Sequence, residues 1–136
     1  MGAFEMKGLV LIVDDHALIR RTLRALFVAE GLQVSEAMDG AEGVRKAQEL
    51  NPGLIVLDLS MPVMNGLEAA RKLKSLMAHV PLLMFTNNSG ELLEREARSA
   101  GISAVVSKAA ADSLKQLLSQ AKAFLGLDGA AFQPAC

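Results

Sequence analysis

The chain has 136 residues, 51 % of them apolar, and a formal net charge of −1. That length fits one domain able to bury about two thirds of its unfolded surface, and the near-balance of charge argues against a nucleic-acid or membrane surface. The only cysteine, Cys136, is the last residue, which excludes an internal disulfide or a cysteine metal site.

No apolar run approaches the ~18 residues of a membrane span. Met1 to Gly8 carries Glu5 and Lys7 and lacks the apolar region of a signal peptide. The expectation is a reduced, cytoplasmic protein without membrane contact.

Leu9 to Val13 is a fully apolar strand that ends on Asp14 and Asp15. A helix is expected from about Ala17 to Glu30, with Ile19, Leu23, Leu26 and Phe27 on one stripe. Arg20, Arg21 and Arg24 form another stripe, read as a solvated face that lies near the strand-one carboxylates and could meet an acidic partner, and Gly31 stops the helix. Leu32 to Ala37 alternates as an edge strand does. Asp39-Gly40 turns and caps a short helix through Leu50.

Pro52-Gly53 leads into Leu54 to Leu57, four apolar residues that read as a strand buried on both faces and ending on Asp58. Pro62 and Asn65-Gly66 mark a loop, and Leu67 to Met77 has helical spacing. Pro81 opens a fourth strand, Leu82 to Phe85, which runs into a polar loop from Thr86 to Gly90. A helix from Glu91 to Ala100 closes on Gly101. Ala104 to Ser107 is the fifth strand, with Lys108 directly after it. The last helix takes Asp112 as N-cap and ends at Gly126, leaving residues 127 to 136 as a flexible tail on a core of about 8 to 126.

Five strands alternating with five helices predict a single α/β domain with a doubly wound, five-stranded parallel sheet. The expected order is 2-1-3-4-5, as in flavodoxin-like folds, with the switch point between strands one and three.

In that order the ends of strands one and three are neighbours, about 5 Å apart. Asp14, Asp15 and Asp58 then share one pole, and three carboxylates this close call for a cation. Hard oxygen donors favour Mg²⁺. Asp15 is the expected direct ligand, Asp14 binds through water, and the Ser60 backbone carbonyl completes the shell. Strand four brings the Thr86 hydroxyl and strand five the Lys108 ammonium, whose stem is long enough to reach Asp58. This is a phosphoryl-transfer set. Asp58 is the nucleophile that forms an acyl phosphate, while Lys108 and the cation offset charge on the phosphoryl oxygens.

Taken singly these residues have plainer readings. Asp58 alone serves equally well to organise the following turn. Asp14 or Asp15 alone could simply cap helix one, Thr86 alone is an ordinary strand-end hydroxyl, and Lys108 alone an ordinary surface lysine. The joint placement at the ends of the correct strands carries the argument. His16 and His79 are read as lone residues in solvent or capping roles, and Met61 and Met64 as loop and core packing.

The motifs Val-Asp14-Asp15, Leu-Asp58-Leu-Ser-Met-Pro62, Met-Asn-Gly66, Phe-Thr86 and Ser-Lys108 resemble those of the receiver domains of two-component response regulators. The resemblance covers Leu9 to about Leu125, and Gly101 to Ala109 is similar to LuxR-type receivers. It implies a (βα)5 receiver fold and phosphorylation of Asp58, with Mg²⁺, by a sensor histidine kinase or a small phosphodonor. It implies no enzyme in the ordinary sense, since such a domain catalyses only its own phosphorylation and dephosphorylation.

Three positions depart from the family pattern. Val105 stands where an aromatic residue often reorients on activation, Asn87 follows Thr86 where a small residue is common, and Ala109 replaces a frequent proline. Ser60 and Asn88 flank the site and bear on water access, with the sign left open.

The expected mechanism is a switch. A phosphoryl group adds about two negative charges, Thr86 and Lys108 bind it, and the surface of helix four, strand five and helix five shifts. A second copy or an output partner reads that face, through Leu92, Leu93 and the apolar stripe of helix five. LuxR-type receivers usually precede a DNA-binding domain, for which 136 residues leave no room; a stand-alone receiver and an excised one remain equally open. One alternative is a pseudo-receiver, an unphosphorylated interaction module. A phosphatase with an aspartyl phosphate intermediate is disfavoured, because Ser60 stands where its second acid belongs.

Overall fold

In the computed structural model, residues 6–88 and 90–127 are described. The order is β1 (Met6–Val13), α1 (Ala17–Val28), β2 (Gln33–Ala37), α2 (Gly40–Leu50), β3 (Pro52–Leu57), α3 (Gly66–Leu76), β4 (Leu82–Thr86), α4 (Glu91–Ser99), β5 (Ala104–Ser107) and α5 (Ser113–Leu125). The strands form one sheet in the order β2-β1-β3-β4-β5, every pairing parallel. Both the element sequence and the order match the expectation. β1 and β3 begin earlier than expected, because Met6 pairs with Pro52 ahead of the register that runs from Val10–Leu54 to Val13–Leu57. The expected tail lies almost wholly outside the described residues.

The unbroken apolar strands follow from a sheet covered on both sides. Alternate residues feed opposite cores. Leu11, Val13, Ile55, Leu57, Leu82 and Met84 pack with Ala47 of α2, Ala70 and Leu73 of α3 and Leu93 and Ala97 of α4. Val10, Ile12, Leu54, Val56, Leu83 and Phe85 pack with Leu23 and Phe27 of α1 and Leu117 and Ala121 of α5. Truncating one of the fully buried leucines to alanine would cost about 2–5 kcal/mol.

Local signals set the helix boundaries. Asp39 caps α2 as expected, accepting a hydrogen bond from the Glu42 amide at 2.8 Å. Asn65 does more than mark a loop: with Glu68 it forms a reciprocal capping box at the start of α3. Asp112 occupies the N-cap position of α5, but its carboxylate accepts from the Gln116 side chain rather than from a backbone amide.

Candidate functional site

The strand ends converge at the carboxyl rim of the sheet. Val13 and Leu57 are register partners, and the Asp58 amide donates to the Val13 carbonyl at 3.0 Å. The carboxylates that follow each strand are therefore neighbours. On the other side Thr86 pairs with Ser107, and the Lys108 amide donates to the Thr86 carbonyl at 2.8 Å. Asp14, Asp58 and Thr86 are buried polar residues, and among the described residues no buried side-chain polar atom lacks a hydrogen-bond partner.

Asp58 is 4 % exposed. Its Oδ1 accepts from the Leu59 amide at 2.8 Å, which leaves Oδ2 facing Lys108. Burial pushes its carboxyl above the ordinary aspartate range and the Asp14 carboxylate pushes the same way, while the Lys108 ammonium, the Leu59 amide and the Thr86 hydroxyl pull against them. The Lys108 Nζ is 3.5 Å from Asp58 Oδ2 but 2.9 Å from Asp14 Oδ2. The reach to Asp58 is as expected; the hydrogen bond goes to Asp14. The ammonium also lies 5.8 Å from the centroid of the Phe85 ring.

Asp15 is exposed, whereas Asp14 is buried. Ser60 and Asn87 are exposed on the loops after β3 and β4, and the Asn88 amide donates to the Thr86 hydroxyl at 3.3 Å. Val105 is half-buried and packs toward the α2–α3–α4 core.

Two readings need correction. His16 is not a lone residue. Its amide donates to Asp14 Oδ1 at 2.9 Å, and this turn brings ring Nδ1 to 2.9 Å from Asp14 Oδ1, 3.1 Å from Asp15 Oδ1 and 3.9 Å from Asp58 Oδ2. Nor is Arg20 part of a merely solvated face. Its side chain is 14 % exposed, donates to the Asp14 carbonyl at 2.7 Å and pairs with Glu36 of β2, which also holds Arg24.

Gly66 was also underread. Its amide donates to the Leu59 carbonyl at 2.8 Å, and a Cβ there would run into the Asp58 carbonyl oxygen. Only glycine lets α3 start this close to the site.

Asp14, Asp15, His16 and Asp58 offer donor atoms that all lie within 4.8 Å of one another. Asp14 and Asp58 share the Lys108 ammonium, Asp15 lies beside them, and burial already disfavours the charged form of Asp58. A hard divalent cation fits that donor set, and Asp14, Asp15 and Asp58 would hold it.

A parallel sheet with an acid pair, an acid, a hydroxyl and an ammonium at successive strand ends defines a receiver-type domain. A family model described as "Response regulator receiver domain" matches residues 10–120. The chain belongs to that family, the receiver domains of two-component response regulators.

The chain is similar to the transcriptional activator protein ExaE of Pseudomonas putida, 39 % identical over 77 % of this chain and 50 % of that one. It is 34 % identical to the virulence regulator BvgA of Bordetella pertussis over 88 % of this chain and 57 % of that one. It thus spans about half the length of the curated relatives it matches. Among solved structures, a LuxR-family response regulator from Aurantimonas superposes with a TM-score of 0.80 at 31 % identity, covering 86 % of this chain and 84 % of that one. Chemotaxis protein CheY4 of Vibrio cholerae gives 0.75 at 29 %, covering 83 % and 97 %.

Proposed function

We propose that the chain is one receiver unit that accepts a phosphoryl group on Asp58 from a phosphohistidine of a sensor histidine kinase, or from a small phosphodonor, with Mg²⁺. The carrying observation is the buried Asp58–Lys108–Asp14 arrangement at the sheet's switch point. A carboxylate oxygen of Asp58 attacks phosphorus, an O–P bond forms, the donor's own bond to phosphorus breaks, and its electron pair stays on the leaving atom, the imidazole nitrogen or the oxygen of a small phosphodonor. Lys108, close to Asp58 Oδ2, offsets charge on the transferred group. Thr86 supplies a hydroxyl donor from the neighbouring strand end.

Asp14, Asp15, Asp58 and the Ser60 carbonyl would hold the Mg²⁺, which supplies electrostatic stabilisation of the phosphoryl oxygens. The acyl phosphate is later lost to water, whose access exposed Ser60 and Asn88 flank. This self-directed chemistry makes the domain a switch rather than a turnover enzyme.

Lys108 and Thr86 follow the new charge and draw in the loops after β4 and β5. The readout is the α4–β5–α5 face, where Leu92 is exposed and Leu114 partly so, whereas Leu93, expected to share in it, is buried against the sheet; its reader is an output partner or a second copy. Val105 makes any ring-flip readout unavailable. A kinase-coupled receiver works in the cytoplasm, and no described helix is long and apolar enough to cross a membrane. No observation favours an unphosphorylated module.

The test is intact mass after incubation with acetyl phosphate and Mg²⁺, beside Asp58→Ala. A hydroxylamine-labile gain of one phosphoryl group, lost in the variant, is expected. No adduct, or an adduct that persists in Asp58→Ala, would overturn the assignment.

A further inference from the structure

We propose that His16 is a nitrogen ligand of the cation site, and that it biases the site toward first-row divalent ions such as Mn²⁺, Co²⁺ and Ni²⁺ relative to Mg²⁺. This deepens the phosphoryl-transfer reading and rests on it. The argument is geometric. An octahedral ion with bonds of about 2.0–2.1 Å holds neighbouring donors about 3 Å apart and opposed donors about 4 Å apart. Nδ1 of His16 stands 2.9 Å from Asp14 Oδ1, 3.1 Å from Asp15 Oδ1 and 3.9 Å from Asp58 Oδ2. Two adjacent edges and one diagonal of a coordination polyhedron are already in place. The four donors need close by only a little, since none is more than 4.8 Å from another.

Lys108 lies 3.5 Å from Asp58 Oδ2, so an ion would share that donor with the ammonium, but the Asp14 donor is left clear. Lys108 takes Asp14 through Oδ2, leaving Oδ1 to the side where the ring lies. The ring is held by its own backbone turn, because the His16 amide donates to that same Oδ1. The side chain is 59 % exposed, so the ring adjusts without repacking a core. Ligation needs the tautomer with its proton on Nε2; the Nδ1 lone pair then faces the ion in place of a hydrogen bond to Asp14.

The consequence is selectivity. Mg²⁺ prefers an all-oxygen shell and gains little from imidazole, whereas affinity for a mixed nitrogen–oxygen site rises from Mn²⁺ through Co²⁺ to Ni²⁺. His16 is thereby a specificity-determining residue for the metal, outside the expected set of Asp14, Asp15, Asp58 and Ser60.

The direct test uses the unaltered chain loaded with Mn²⁺. Pulsed electron paramagnetic resonance on protein carrying ¹⁴N- or ¹⁵N-histidine is expected to show a coordinated-nitrogen coupling that changes with the isotope and vanishes in His16→Gln. His79, the only other histidine, lies with Gly53 and Pro81 at the far end of the sheet. By calorimetry, His16→Gln is expected to weaken Ni²⁺ at least about tenfold while changing Mg²⁺ less than about threefold. Mn²⁺ binding without nitrogen coupling would overturn the proposal and leave phosphorylation of Asp58 standing. A rise in Mg²⁺ affinity in His16→Gln would also overturn it, showing the ring to obstruct the ion. Failure of any divalent ion to bind would sink both readings.

Discussion

The Lys108 ammonium lies closer to Asp14 than to Asp58, at 2.9 Å against 3.5 Å. One cation thus serves two buried carboxylates from different strands and ties β5 to β1 across the rim. Breaking a buried pair by removing one partner leaves uncompensated charge, which costs more than the pair was worth. Lys108→Met is expected to lower unfolding stability by about 3–5 kcal/mol at pH 7. Because a divalent ion answers the same carboxylates, millimolar Mg²⁺ should return part of that loss. Urea unfolding with and without Mg²⁺ checks both; a variant as stable as the parent would show the bridge to be incidental.

Asp58 places function against stability. Its carboxyl is raised by burial and by Asp14, so the folded state holds the proton more tightly than the unfolded chain. Stability therefore falls as pH rises from the unfolded value, near 4, through the raised folded value, and ionised Asp58 is a net cost at pH 7. Asp58→Asn keeps an acceptor for the Leu59 amide and removes the charge. The variant should unfold at a higher urea midpoint than the parent at pH 7, and the two should converge toward pH 3. Convergence in the opposite direction would refute the sign.

Glu36 runs the other way. Burial raises its carboxyl, but the Arg24 and Arg20 guanidiniums outweigh that and hold it low. Such a group contributes stability above the unfolded pKa and loses it as pH falls through the folded one. Glu36→Gln is expected to cost about 0.5–1 kcal/mol at pH 7, in the range of partly exposed pairs, with the gap closing below about pH 4. Arg20 also holds the Asp14 carbonyl, so the same variant should weaken Mg²⁺ binding, read by calorimetry.

The fold and most of the rim were legible because burial on both faces writes itself as unbroken apolar strands, and each strand that matters stops on a polar residue. Asp58, Thr86 and Lys108 sit at ends that periodicity alone locates. His16 and Arg20 were not legible for a physical reason. Their partners are set by an Asp-centred turn and by a helix–edge-strand contact, and neither leaves a spacing signature. Gly66 looked like a turn glycine, while its actual constraint is the Asp58 carbonyl oxygen, supplied by residues eight positions earlier. The preference of Lys108 for Asp14 depends on ångström-scale placement that no pattern carries.

The loop from Ser60 to Asn65 holds the last prediction. Val63 is 81 % exposed with φ +69°, a left-handed conformation that a β-branched side chain rarely adopts. That strain costs roughly 1 kcal/mol, and nothing is buried in return. Val63→Asn relieves it without the extra unfolded-state freedom of glycine, and is expected to gain about 0.5–1 kcal/mol. Gly66→Ala, in the same connection, does the reverse: its methyl meets the Asp58 carbonyl, at a cost of about 1–3 kcal/mol. The pair separates strain at the tip from constraint at the base. Val63→Asn should leave the acetyl phosphate labelling rate of Asp58 within about twofold, whereas Gly66→Ala should slow it about tenfold or more, since a 1 Å displacement of a reacting group is worth that much. Equal rates in the two variants would show that the Gly66 contact holds α3 and has no part in aiming the nucleophile.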